Sequence, residues 1–213
     1  MAEDTRQRLI DGALEAIRRH GLAGTSARSI AAAAGVNQAL VFYHFGSVHE
    51  LLKVASLAAT RARVDAFLDR LAAVTTLREL LAAGRELHAE ERTLGNVAVL
   101  AQLLAGAQSD PHLADATRAT LQLWITPIEQ TLARLLAGSP LAELLDTAGL
   151  ARAVSAAFIG LELFEGVDPD GAVAALEAVE RITVLAEVVD DLGPVARRTL
   201  RAKLRRRDGA RPP

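Results

Sequence analysis

Residues 26–52 read SARSIAAAAGVNQALVFYHFGSVHELL, and the punctuation inside this stretch sets the local fold. Ser26 is placed to cap a helix in which Ile30, Ala31 and Ala34 share one face before Gly35. Gly35 suits a turn residue with positive φ, which other side chains resist. Asn37 then caps a helix of under two turns carrying Gln38, Phe42, Tyr43 and His44. Ser47-Val48-His49-Glu50 has capping-box spacing and starts a further helix, expected to run to about Asp69. Two helices that cross over a short turn need a small residue where they touch and a flexible one in the turn. Ala31 and Gly35 fill those places.

Helical periodicity continues on both sides. Residues 5–20 place Leu9, Ile10, Ala13, Leu14 and Ile17 on one face, and Gly21 stops that helix. Thr76-Leu77-Arg78-Glu79 repeats the capping-box spacing and opens a fifth helix. Further helices are expected near 93–108, 111–137, 148–165 and 170–191, with a kink or break at Pro127. No run alternates with period two. The expectation is an all-α protein: a head at 1–53 made of a three-helix helix-turn-helix unit, a long helix leading into a helical body at 54–193, and a tail at 194–213.

Composition agrees with this reading and excludes several functions. The 213 residues are 51% hydrophobic and 23% charged, enough for a sizeable core. Aromatics make up only 3%, and Ala, Leu and Val dominate the apolar set, which favours helix over sheet. Absence of cysteine excludes disulfides, thiolate metal sites and a thiol nucleophile. The N-terminus lacks the apolar run of a signal peptide, and the longest uncharged run, Thr93 to Ser109, is too short and polar to span a membrane. A cytoplasmic protein with no membrane partner is therefore expected. Residues 1–53 carry six basic and five acidic side chains, residues 54–193 ten and twenty, and residues 194–213 eight and one. An acidic body with a near-neutral head and a basic tail is compatible with DNA binding localised to one end.

The short helix after Gly35 is the chemically informative element. A crossed helix pair projects its second helix outward, where side chains can enter a major groove about 12 Å wide. Gln38 can pair bidentately with an adenine edge, and Ala39 and Phe42 can touch thymine methyls or sugars. Tyr43 and His44 can reach phosphates. Phe45 sits where the three-helix packing closes, whereas Phe42 suits either core or contact.

The same residues resemble the DNA-binding domain of the TetR family of bacterial transcriptional regulators. The resemblance rests on Gly24-Thr25-Ser26, Ile30-Ala31, Ala34-Gly35-Val36 and Phe42-Tyr43-His44-Phe45, followed by Gly46-Ser47 and Glu50-Leu51-Leu52. It covers roughly residues 5–55. It implies base or phosphate contacts from Ser26, Arg28, Gln38, Ala39, Phe42, Tyr43 and His44. The family commonly has Lys after the Ser that opens the fourth helix. This chain has Val48, so that contact is missing or is replaced by His49 or Lys53. The resemblance also implies a homodimer joined through the last two long helices of each subunit.

The body offers weaker signals. Phe67, Trp124, Phe158 and Phe164 are candidates for lining a small-molecule site, or plain core. Ala153, Ala157, Gly160 and Leu161 make a smooth helix surface, complemented by Leu176, Val179 and Ile182, which suits a dimer interface. Glu162 and Glu165 lie in an apolar helix and read as an exposed stripe, or as groups facing a cationic ligand. His88 and His112 read as isolated surface or helix-end residues, and His112-x-x-Asp115 alone does not make a metal site. The basic tail, with Arg197, Arg198, Arg201, Lys203 and Arg205 to Arg207, reads as a solvated helix that frays.

The expectation is thus a homodimeric regulator, a repressor released by a small-molecule effector, with double-stranded operator DNA as partner and no cofactor. An interaction module that keeps the head without specific DNA binding is the alternative. A helical enzyme lacks support: there is no Gly-rich phosphate loop and no His-Glu-x-x-His.

Overall fold

A computed structural model describes residues 2–143 and 145–208, and every regular element among them is helical. The helices are α1 (Ala2–His20), α2 (Ala27–Ala34), α3 (Ala39–Phe45), α4 (Val48–Ala73), α5 (Leu77–Leu94), α6 (Asn96–Ala107) and α7 (Pro111–Leu135). A short 3-10 turn at Pro140–Glu143 precedes α8 (Thr147–Glu165), α9 (Pro169–Asp190) and α10 (Pro194–Asp208). Several boundaries differ from expectation. Helix α4 runs four residues past Asp69, because Leu71 is buried and extends the apolar face. Pro127 neither ends nor divides α7. Leu94 closes α5 instead of opening the next helix, because Gly95 separates the two. Residues 209–213 of the tail lie outside the described set.

The chain packs as two compact units. One joins Met1–Ala66 to Glu90–Leu123, and the other joins Phe67–Ala89 to Trp124–Pro213. The expected 1–53 head is thus part of a larger unit that also contains α6 and the first half of α7. Its core gathers Leu9, Ala13 and Ile17 of α1, Ile30 and Ala31 of α2, Val41 and Phe45 of α3, Leu51 and Ala55 of α4, Val99 and Leu103 of α6, and Leu113 of α7. Full burial of each large aliphatic side chain contributes about 1.5–3 kcal/mol. Helices α1 and α2 meet at Gly12, where an added Cβ would lie 2.9 Å from both the Cβ and the backbone nitrogen of Ala34. Any side chain there would push the helices apart.

In the second unit Phe67 and Leu71 of α4, Val74, and Ala83 and Leu87 of α5 form a core, with Trp124, Leu135 and Phe158 against it. Arg134 of α7 donates to the carbonyls of Leu71 and Val74, satisfying acceptors at the end of α4. Arg78 and Arg85 of α5 tie to Glu187 and Glu180 of α9 at 2.6 and 2.9 Å. Helix α8 is the one described helix long and apolar enough to cross a bilayer by length and composition. A scan for uncharged runs passes over it, because Arg152 and Glu162 interrupt the sequence.

Three surface carboxylates are held ionised by their partners. Hydrogen bonds from the Thr75 backbone and side chain hold Glu79 below the ordinary carboxylate range. The His112 amide and the His49 ring do the same for Asp110, and Arg78 does so for Glu187. Depressed folded values mean that the stabilisation is present above the unfolded pKa and is lost as pH falls through the folded one. The melting temperature is therefore expected to hold above about pH 5 and to decline below about pH 4. The Glu187→Gln variant is expected to decline less steeply in a circular-dichroism melt series over that range.

Candidate nucleic-acid interface

Local hydrogen bonding builds the reading tip. Ser26 Oγ accepts from the Ser29 amide at 3.2 Å, while Ser29 Oγ accepts from the Ser26 amide at 2.8 Å, a reciprocal capping box with serine in the usual Glu or Gln place. Gly35 ends α2 at φ 64°, ψ 39°, and its N–H returns to the Ala31 and Ala32 carbonyls. Asn37 Oδ1 then accepts from the Ala39 amide at 2.8 Å, so Asn37 caps the next helix by side chain, although α3 proper begins at Ala39. Ser47 Oγ accepts from the Glu50 amide at 3.1 Å and opens α4.

This frame decides which side chains face outward. Val41 is fully buried and Phe45 nearly so, and these two anchor the seven-residue α3. Gln38, which precedes α3 as its N-cap residue, and Ala39 are exposed, Phe42 is 49% exposed and Tyr43 80% exposed. His44 is half-buried and meets the Tyr43 ring edge-on at 5.0 Å. An exposed Tyr with an exposed Phe one residue away is costly surface for a solvated helix, but it suits contact with bases and sugars. Ser26 and Arg28 are also exposed. A groove of about 490 Å³ runs beside them, lined by Ser26, Phe42, Val48, His49, Asp110 and Leu113 among others.

The substitutes considered for the missing lysine are both engaged. His49 Nε2 lies 3.0 Å from Asp110 Oδ2, and Lys53 Nζ donates to both oxygens of Glu50 at 3.1 Å. Val48 is half-buried and packs against the core of this unit. Phosphate contact by either side chain therefore requires exchange of its present partner.

In the second unit, Phe67 and Trp124 meet edge-on with centroids 6.1 Å apart, and Phe158 packs on the same core. Phe164 does not join them and is 51% exposed. Sequence reasoning missed the main polar feature here. His88 is not a surface residue: it is buried on α5, with Nδ1 2.7 Å from Glu162 Oε1 and Nε2 2.6 Å from Glu165 Oε2, both on α8. The Phe158 ring stands edge-on to the imidazole at 6.0 Å. Each ring nitrogen faces one carboxylate, and the contact to Glu165 is a hydrogen bond. Glu162 and Glu165 thus face inward onto His88 and do not form an exposed stripe. The one available signal was two carboxylates three apart in an otherwise apolar helix. Asp115 pairs with Arg118 instead of joining His112, and no group of three metal-ligating side chains occurs among the described residues.

Residues assigned to a dimer interface are largely solvent-facing in the single chain. Ala153, Ala157 and Gly160 are exposed, Leu161 and Leu176 half-buried, Val179 exposed and Ile182 63% exposed.

Comparison with known proteins agrees with this geometry. Residues 9–55 match the model of bacterial regulatory proteins of the tetR family. A candidate TetR-family transcriptional regulator from Rhodococcus sp. superposes with a TM-score of 0.69 at 22% identity, covering 85% of this chain and 99% of that one. The fatty acid degradation regulator FadR from Bacillus halodurans gives 0.68 at 18% identity, covering 88% and 99%. The multidrug binding protein EbrR, complexed with imidazole, gives 0.62 at 25% identity, covering 85% and 93%. No curated protein matches the sequence. The likeness to the tetR family of bacterial regulatory proteins is thus carried in sequence by the head at residues 9–55, and in fold by most of the chain.

Proposed function

We propose that this chain is a ligand-responsive repressor that binds a palindromic operator as a homodimer in the cytoplasm. TetR-family regulators are DNA-binding proteins, not enzymes, and the finer reading rests on this chain's own residues. The observation that carries it is the tip itself: Gln38 at the start of α3, and Ala39, Phe42 and Tyr43 on it, are exposed while Val41 and Phe45 lock the helix to the core. Gln38 reads a base edge, Tyr43 and His44 meet backbone, and Ser26 and Arg28 flank them. Two-fold symmetry of the protein would match two half-sites about one helical turn apart. Heads 1–53 act as the reading domains, 54–193 as the effector and dimer region, and 194–213 as a basic tail.

The effector would bind among Phe67, Trp124 and Phe158, with Phe164 at the margin. Helix α4 begins in the reading tip's unit and ends beside Phe67 in the other, so it is the covalent route for the response. A coupling of about 1–3 kcal/mol would reduce operator affinity by roughly 5- to 150-fold. The solved FadR from Bacillus subtilis holds stearoyl-CoA and EbrR holds imidazole, which supports a small-molecule effector without naming this one.

Operator selection from a random duplex library, followed by gel-shift titration, tests the reading. Wild-type protein is expected to enrich an inverted repeat, and Gln38→Ala and Tyr43→Ala are each expected to cost roughly 1–3 kcal/mol of operator affinity. Wild-type affinity in both variants would remove these residues from the contact set. Failure to enrich any sequence, with binding that vanishes at modest salt, would favour an interaction module instead.

A further inference from the structure

We infer that Arg8 on α1 is a positioning residue for operator recognition, acting through the turn that aims α3. The inference rests on the DNA-binding reading of the head. Arg8 lies outside every contact expected of the reading tip, 26 residues before Ala34. Its Nη2 nevertheless donates to the Ala34 carbonyl at 2.7 Å and to the Gly35 carbonyl at 2.8 Å. These are the last carbonyl of α2 and the carbonyl of the turn residue itself.

The physical case begins with how little else holds α3. It has seven residues, fewer than a stable isolated helix requires, and two buried anchors, Val41 and Phe45. Both anchors share one side, so they resist withdrawal from the core better than rocking about the helix axis. The orientation of Gln38 and Tyr43 therefore depends on the backbone between Ala34 and Ala39. Within it, the Gly35 and Val36 amides return to the Ala31 and Ala32 carbonyls. The carbonyls of Ala34 and Gly35 point the other way, toward α1. A guanidinium there holds two consecutive carbonyls with one charged group, and it sits where the α2 dipole is negative. Charge-assisted bonds of this kind are about twice as strong as neutral ones.

A second contact from the same helix restrains the far end of α3. Arg6 Cζ stands 5.2 Å from the centroid of the Phe45 ring. Helix α1 thus grips the entry to α3 through Arg8 and its exit through Arg6, while its apolar face forms the core below. An invariant tip geometry is worth more to base reading than to phosphate attraction, because bidentate base pairing tolerates little misalignment.

The test must separate this role from direct phosphate contact by an exposed arginine. Arg8→Met keeps much of the stem and removes the donors, and Arg8→Lys restores a cation that can reach the same carbonyls. Affinities are measured for the operator recovered with wild-type protein and for a scrambled duplex of equal length, across a salt series. Arg8→Met is expected to lose about tenfold on the operator, as for loss of a charge-assisted hydrogen bond. It is expected to change little on the scrambled duplex and to keep the wild-type salt slope. Arg8→Lys is expected to recover most of the operator affinity. A salt slope shallower by about one contact, with equal loss on both duplexes, would show a phosphate contact and overturn the inference. Unchanged operator affinity in Arg8→Met would overturn it too. Absence of any operator for the wild-type protein would instead sink the underlying reading.

Discussion

Replacing His88 with alanine is expected to lower the unfolding free energy by roughly 2–4 kcal/mol, as for leaving buried polar groups without their partner and opening a void beside them. The imidazole lies between Glu162 and Glu165, and all three side chains are at most one-sixth exposed. Its removal leaves two carboxyl groups in an apolar setting without the imidazole between them and opens a void beside Phe158. Part of the loss is expected to return when Glu162→Gln is combined with His88→Ala, since the stranded charge is then reduced. Urea unfolding of the single and double variants measures this directly. A loss below about 1 kcal/mol in His88→Ala would show that water reaches the carboxylates and that the triad is a surface ion pair.

This triad also ties two helices together. It joins α5 to α8 through one proton-bearing group, and replacing a buried ionic cluster with apolar residues of equal volume often stabilises proteins. A cluster that an apolar core could replace is therefore poor evidence for stability alone. It fixes the register of α8 against α5, and α8 also carries Ala153, Ala157 and Gly160 on its solvent side.

The head was legible in the sequence because its determinants are local. Ser26 and Ser47 cap within three residues, Gly35 turns within one, and Val41 and Phe45 mark the buried side of α3 by spacing alone. Such interactions leave short-range patterns that residue order records. The packing of the head on α6 and α7 was not legible, because it depends on pairs such as Leu22 with Gln102 and His49 with Asp110, separated by 80 and 61 positions. The same holds for His88 with its carboxylates, 74 and 77 positions away, where one histidine in an amphipathic helix looks like any exposed polar residue. Arg8 is a third case. A basic residue near a helix start reads as a solvated charge, and nothing in the adjacent residues reports the carbonyls it reaches. Of the aromatic set, burial separates Phe67 from Phe164, yet both occupy helical positions of similar composition.

Replacing Ile182 with glutamate is expected to convert the protein to a monomer at micromolar concentration and to weaken operator binding by roughly 10²- to 10⁴-fold. Val173, Val179, Ile182, Leu185 and Val188 of α9 are all exposed in the single chain, as are Leu163, Phe164 and Val167 at the end of α8 and just beyond it. Monomeric proteins rarely leave large apolar patches uncovered. Small residues along α8, Ala153, Ala157 and Gly160, would let a partner helix approach closely. A second copy is the occupant that a two-fold operator also calls for, since one surface patch can cover itself across a dyad. A carboxylate at Ile182 would be desolvated on burial against a partner helix, whereas in a monomer it would sit in water at no cost. Stability of the isolated fold should therefore change by less than about 0.5 kcal/mol, the range for surface substitutions. Sedimentation velocity reads the oligomeric state, and titration against the full operator and a single half-site reads the linkage. Half-site affinity is expected to stay at the wild-type value while full-operator affinity collapses to it. A variant that remains dimeric with undiminished operator binding would place the dimer contact elsewhere on the molecule.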